Sequence, residues 1–235
     1  MHILGIIPSR FASKRLPGKP LINISGKSMI QRVYEQCEKS LLLNQIVVAT
    51  DDKRIYKHVN EFGGNVVMTS ITHESGTDRC NEVVLNSNMA YDIVVNIQGD
   101  EPFINPIQID QVVANLLDSN ADIATLAKKI DDLNVIFDAN NPKIIFNKKT
   151  KIADDFVRKI DKINKNTKYY KHIGIYAFKT EVLNEISKLS QTEREMNENL
   201  EQLRWIENNY QILVGITDHE SVSIDTREDL KKLLI

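Results

Sequence analysis

The chain has 235 residues, 42% of them hydrophobic and 26% charged, with a net charge of −2. That is an ordinary globular composition, long enough for one large α/β domain with a small excursion, and it provides no whole-molecule field for nucleic acid. Cys37 and Cys80 lack metal-ligand spacing, no basic-then-apolar leader precedes Ile3, and no apolar run approaches the roughly 18 residues of a bilayer span, so a reduced cytoplasmic protein without membrane insertion is expected.

The first stretch, 3–20, opens as an apolar run that predicts a buried strand. It breaks at Pro8 into a loop that holds Arg10, Lys14, Arg15 and Lys19 around Pro17-Gly18. A concave turn lined with positive charge can hold a polyphosphate, and the order of strand, basic loop and helix is where open α/β sheets bind ligands. The plainer alternative is a solvated basic loop. The P-loop pattern fails because Pro20 follows Lys19, and no GxGxxG follows the strand, which disfavours a P-loop kinase and a dinucleotide oxidoreductase.

A short edge element over 21–26 precedes a helix over 27–39, with Met29, Ile30, Val33, Tyr34 and Cys37 on one face. A continuous apolar strand over 46–50 follows, then Asp51-Asp52 as the cap of a helix over 53–62, Gly63-Gly64 as its stop, and a strand over 65–69. This βαβαβ order predicts a mostly parallel, doubly wound (Rossmann-like) sheet. The polar turn 73–79 opens a helix over 80–85. Ser75, Gly76, Thr77 and Arg79 suit contacts to a nucleotide base or ribose, and equally an ordinary capped helix start. A buried strand over 91–97 then delivers Gln98 and Asp100, with Gly99 leaving space between them. Asp100 is the candidate Mg²⁺ ligand, and Glu101, on the opposite face, the weaker one.

A helix over 107–118 and a strand over 123–128 come next, then Asn/Asp/Lys-rich turns around a possible strand at 143–146. An alternating strand over 169–178 puts His172, Gly174 and Tyr176 on one face. A helix over 193–207 would align Glu198, Glu201, Gln202 and Trp205, and without further information that stripe faces solvent. A strand over 211–216 and a capped helix beginning at Asp225-Thr226 close the chain.

The N-terminal string SRFASKRLPGKPL resembles the signature of sugar nucleotidyltransferases, most of all the cytidylyltransferases that activate acidic sugars and among them the 3-deoxy-manno-octulosonate (Kdo) cytidylyltransferase family. The strings HESGTDR, HIGIYAF, ENLEQLR and IDTREDL match that family at corresponding places. The resemblance implies CTP and an acidic sugar as substrates and a single domain over 1–235, with sugar binding and dimerisation over about 130–205. It also implies a homodimer, and a product destined for lipopolysaccharide. It assigns Pro8, Arg10, Arg15, Lys19, Ser75, Gly76, Thr77, Arg79 and Gln98 to the nucleotide, with Arg10, Lys19 and Asp100 catalytic. His172, Tyr176, Glu201 and Gln202 go to the sugar, and Asp225 becomes a second Mg²⁺ ligand beside Asp100. The family's Ser-Arg segment after the 143–146 strand is missing here, and Arg158 is the nearest arginine. That departure keeps open an 8-amino Kdo analogue or a nonulosonic acid as acceptor, and a nucleotide-binding regulator without turnover is the alternative from another class.

Overall fold

The computed structural model describes residues 1–12, 15–160, 162–164 and 167–233. Two compact units emerge, one made of 1–110 together with the chain from Ser221 onward, the other of 111–220.

The first unit begins with β1 (Ile3–Ser9) and a hairpin of β2 (Asn23–Ile24) and β3 (Lys27–Ser28), followed by α1 (Met29–Cys37), β4 (Gln45–Thr50), α2 (Lys53–Glu61), β5 (Val66–Met68), α3 (Gly76–Leu85) and β6 (Ile93–Asn96). Strands β6, β1, β4 and β5 lie side by side in that order, every pair parallel, in a register that runs from Leu4 opposite Gln45 to Ser9 opposite Thr50. The chain thus builds outward from β1 through β4 to β5 and then returns to the other side of β1. That reversal puts a topological switch point between β1 and β6, the place where doubly wound sheets bind ligands beyond the carboxyl ends of their strands. Ile3, Leu4, Ile6, Ile7, Val94 and Val95 are all buried, as continuous apolar runs must be when helices cover both faces.

Two helices start elsewhere than expected. Lys27-Ser28 pair with the preceding strand, so α1 begins at Met29, with Ser28 accepting from the Gln31 amide at 3.2 Å. Helix α3 begins at Gly76, four residues early, because Ser75 and Asp78 form a reciprocal capping box that makes 76–79 the first turn.

Helix α4 (Pro106–Leu117) leads into the second unit: β7 (Ile123–Lys129), α5 (Leu133–Phe137), β8 (Lys143–Phe146), β9 (Ala153–Val157), β10 (Tyr170–Lys179), α6 (Thr180–Ile186), α7 (Glu193–Glu198), α8 (Gln202–Glu207) and β11 (Ile212–Ile216). Here the pairing is mixed, with β11 parallel to β7 and β7–β10, β10–β8 and β8–β9 antiparallel. The expected helix over 193–207 is two helices, because Asn199 adopts a left-handed conformation (φ 51°) that ends α7. Glu198 therefore does not share a helical face with Glu201, Gln202 and Trp205. Tyr176, Phe178 and Trp205 form an aromatic core, the indole meeting both other rings edge-on at 5.0 and 5.4 Å.

The chain ends in α9 (Arg227–Leu233), back in the first unit, where Ile224 joins Leu16, Ile24 and Met29 in a buried cluster against which Leu230 packs. Among the described residues no helix is long and apolar enough to cross a membrane.

Candidate active site

Beyond Ser9 the chain leaves the sheet, and the loop is closed by local bonds. The Gly18 amide donates to the Phe11 carbonyl at 3.1 Å and the Lys19 amide to Leu16 at 3.2 Å. Gly18 sits at φ 68°, where a side chain would be strained, and a Cβ there would press on the Phe11 ring at 3.1 Å. That turn launches one 3-10 turn, Lys19–Leu21, with Pro20 supplying its preset φ. The result is a lysine that is 9% exposed.

The ammonium of Lys19 donates to Asp100 Oδ2 at 2.6 Å and to Asp225 Oδ1 at 2.8 Å, and Arg15 Nη2 reaches the same Asp225 oxygen at 2.9 Å. Asp100 stands just past β6. Its neighbour Gly99 lies so close to β1 that a Cβ would meet Ser9 Oγ at 2.8 Å and the Pro8 carbonyl at 2.9 Å. Asp225 comes from the far end of the chain and is held by two means: the Ile224 amide donates to the Asp100 carbonyl at 2.9 Å, and Asp229 accepts from the amides of Asp225 and Thr226. Asp100 and Asp225, expected from the sequence to converge, do meet, at one lysine. Both carboxylates keep an open side, 27% and 31% exposed, whereas the Lys19 side chain is 11% exposed.

The other nucleotide-side expectations divide. Arg10 is exposed on the loop, and Lys14 lies outside the described residues. Gly76, at the start of α3, is 3.4 to 3.5 Å (measured from the Cβ it lacks) from the Pro8 ring and the Asn96 amide, so Ser75 and Gly76 flank the carboxyl ends of β1 and β6. Gln98 is half-buried between β6 and Asp100. Thr77 and Arg79, by contrast, point inward and are 1% and 3% exposed. The Arg79 guanidinium donates to Asp51 at 2.8 Å and to the Thr69 hydroxyl. It is a buried counter-ion joining α3 to the ends of β4 and β5, so this guanidinium, expected from the family resemblance to contact nucleotide, is engaged by Asp51 and Thr69. Helix position decides this: once α3 starts at Gly76, Thr77 and Arg79 fall on its buried face.

In the second unit His172 and Tyr176 are neighbours, their rings 5.3 Å apart. Both are core residues. His172 Nε2 lies 3.1 Å from the Thr125 hydroxyl, and burial pushes its pKa down to about 3, so the ring is neutral at ordinary pH. Burial first, and the Glu201 carboxylate second, push the Tyr176 phenol well up. The Tyr176 hydroxyl and Gln202 Nε2 are both buried without a hydrogen-bond partner, an arrangement a polar ligand could satisfy. Glu201 accepts from Arg204 Nη2 at 3.3 Å. Arg158 is committed to three backbone carbonyls, those of Glu198, Asn199 and Ala139, at 2.5, 2.8 and 3.1 Å, and so tethers the end of α7.

Sequence reading missed Asp51 as the partner of Arg79 and Phe11 as the residue that closes the basic loop. The loop's single aromatic and single glycine, Phe11 and Gly18, were the available signal for the second; nothing in the sequence marked the first.

A family model described as cytidylyltransferase matches residues 4–213. The 3-deoxy-manno-octulosonate cytidylyltransferases of Parabacteroides distasonis and Bacteroides thetaiotaomicron are 49% and 50% identical to the chain, covering 100% and 98% of it and 97% and 96% of themselves; that of Geobacter sulfurreducens is 42% identical, covering 100% and 98%. Among solved structures, a CMP:2-keto-3-deoxy-manno-octonic acid synthetase complexed with CTP superposes with a TM-score of 0.93 at 36% identity, covering 100% of this chain and 97% of that one. A cytidylyltransferase from Leptospira borgpetersenii, with a TM-score of 0.67 at 17% identity over 100% of this chain and 85% of that one, shares the fold. The chain belongs to the 3-deoxy-manno-octulosonate cytidylyltransferase family.

Proposed function

We propose that the protein transfers CMP from CTP to the anomeric hydroxyl of 3-deoxy-manno-octulosonate, releasing pyrophosphate. The observation that carries this reading is the convergence of Asp100 and Asp225 on Lys19, with Arg15 of the same loop on Asp225, in a chain 36% identical to a synthetase solved with CTP.

Transfer of this kind asks the protein mainly for positioning and charge neutralisation. Arg10, Arg15 and Lys19 bind the triphosphate and offset the charge that gathers on the leaving pyrophosphate. Ser75, Gly76 and Gln98, around the ends of β1 and β6, orient the nucleoside, with Pro8 forming part of that wall. The sugar oxygen attacks the α-phosphorus as the bond to the β-phosphate oxygen breaks, and the hydroxyl proton leaves to solvent. His172, Tyr176, Glu201 and Gln202 bind the sugar acid, the Tyr176 hydroxyl and Gln202 amide gaining the partners they lack.

The donor set suits Mg²⁺. Among the described residues no group of three or more His, Cys, Asp or Glu could hold a metal, yet Mg²⁺ favours one or two carboxylates completed by substrate phosphates and water. Asp100 and Asp225 would hold it, and when bound it lowers the pKa of the attacking hydroxyl and draws charge from the phosphate. By family likeness we also propose a cytoplasmic homodimer whose product feeds lipopolysaccharide synthesis.

Pyrophosphate release from CTP, measured with Kdo, its 8-amino analogue and a nonulosonic acid, tests the assignment. Release that depends on Kdo is expected. Release with another acid alone would change the acceptor, and no release with any of them would leave a nucleotide-binding protein.

A further inference from the structure

Phe11 and Arg54 have no part in the chemistry above, yet they are joined in a way that bears on it. The tip of the Phe11 ring rests where a Gly18 side chain would be, its Cζ and Cε2 3.1 and 3.2 Å from the position that Cβ would take. Arg54 stacks on the ring, its guanidinium carbon 3.3 Å from the ring centroid. The guanidinium is itself fixed, with Nε and Nη2 donating to the two oxygens of Asp52 at 3.0 and 2.6 Å. Asp52 is in turn fixed as the N-cap of α2, accepting from the Arg54 amide at 2.8 Å. A chain of contacts therefore runs from a helix terminus on the sheet, through a bidentate ion pair and a cation–π stack, to the ring that closes the loop between Arg10 and Lys19. Arg is the residue for this task, because its planar fork can bind a carboxylate along its edge while its face lies on an aromatic ring.

We propose that Arg54 is a positioning residue for CTP: it clamps Phe11 against Gly18 and so presets the basic loop in its triphosphate-binding shape. Preorganising the loop removes an ordering cost from nucleotide binding and leaves the chemical step untouched. The inference rests on the reading of that loop as the triphosphate site. An exposed cation–π contact of about 0.5–1 kcal/mol corresponds to roughly a two- to fivefold change in an equilibrium constant.

The test is a double-mutant cycle on the full-length protein, reading the CTP dissociation constant by calorimetry, KM for CTP, kcat and the melting temperature for R54A, F11L and the double variant, with R54K and K19M alongside. The expected result is a two- to fivefold weaker CTP affinity and higher KM for R54A and for F11L, with kcat within twofold and the melting temperature unchanged. The double variant should be no worse than the worse single, and R54K, which keeps the charge and loses the fork, should fall close to R54A. Undiminished CTP affinity in R54A, or effects of R54A and F11L that simply multiply, would overturn the clamp while K19M still weakened CTP binding. If K19M bound CTP as well as the wild type, the loop itself would not be the triphosphate site and both readings would fall.

Discussion

Lys19 shows how much one residue organises. A single ammonium, 11% exposed, holds a carboxylate from the end of β6 and another from the chain's last segment. Both carboxylates keep an open side to solvent, which tempers the stability cost of neutralising either one. D100N and D225N each take away a negative oxygen while keeping the shape. Each should lower kcat for pyrophosphate release by about 10²- to 10³-fold, the scale of removing one preorganised charge-stabilising group, with little loss of melting temperature because Lys19 keeps its other partner. His172 gives a prediction about stability. Its folded pKa, depressed to about 3, lies below that of the unfolded histidine, so on acidification the unfolded chain takes up a proton that the native core refuses. Its contribution is complete above about pH 6.5 and is lost as pH falls from there toward 3, at up to about 1.4 kcal/mol per pH unit. Chemical denaturation of wild type and H172Q at pH 7.5, 6.0 and 5.0 should show the acid-side slope reduced by one proton in the variant.

At the scale of elements, the last segment matters to the site because apolar packing holds it there. Ile224 is fully buried against Leu16, Ile24 and Met29, and Leu16 belongs to the basic loop, so one cluster fixes both Arg15 and Asp225. I224A should cost about 2–5 kcal/mol of stability, as for other buried aliphatic truncations. It should also depress activity well beyond an equally destabilising truncation such as L203A in the second unit, once both are assayed below their melting transitions. Asn199 invites a smaller test. A left-handed position at a helix end tolerates Gly and Asn but penalises Ala, so N199A should lose about 1 kcal/mol in urea denaturation and N199G little.

On the scale of the whole molecule, the first unit was largely legible in the sequence. Runs such as Ile3–Ile7 and Val47–Ala49 are apolar at successive positions because both faces of a parallel sheet are covered, and their alternation with amphipathic helices leaves few other topologies. The meeting of Asp100 with Asp225 was legible only through family likeness, since no local pattern ties residues so far apart. The second unit was harder to read. Strand β9 reads Ala-Asp-Asp-Phe-Val, with only Ala153 and Phe156 buried and a register shift opposite Ile145/Phe146, so the period of two is broken. The inward turn of Arg79 was hidden because it depends on a helix start four residues earlier than expected, and the alternation that put His172 and Tyr176 on one face of a strand did not show that packing buries the strand on both sides.

The central claim is that Asp100, Asp225 and Lys19, from three distant parts of the chain, act as one catalytic unit. A double-mutant cycle on kcat for pyrophosphate release, using D100N, D225N and the pair together, tests it most directly, because groups that act as a unit are strongly non-additive. The account predicts that the double variant turns over no more slowly than the slower single variant. Losses that multiply across the cycle, or D225N turning over CTP at the wild-type rate, would contradict it.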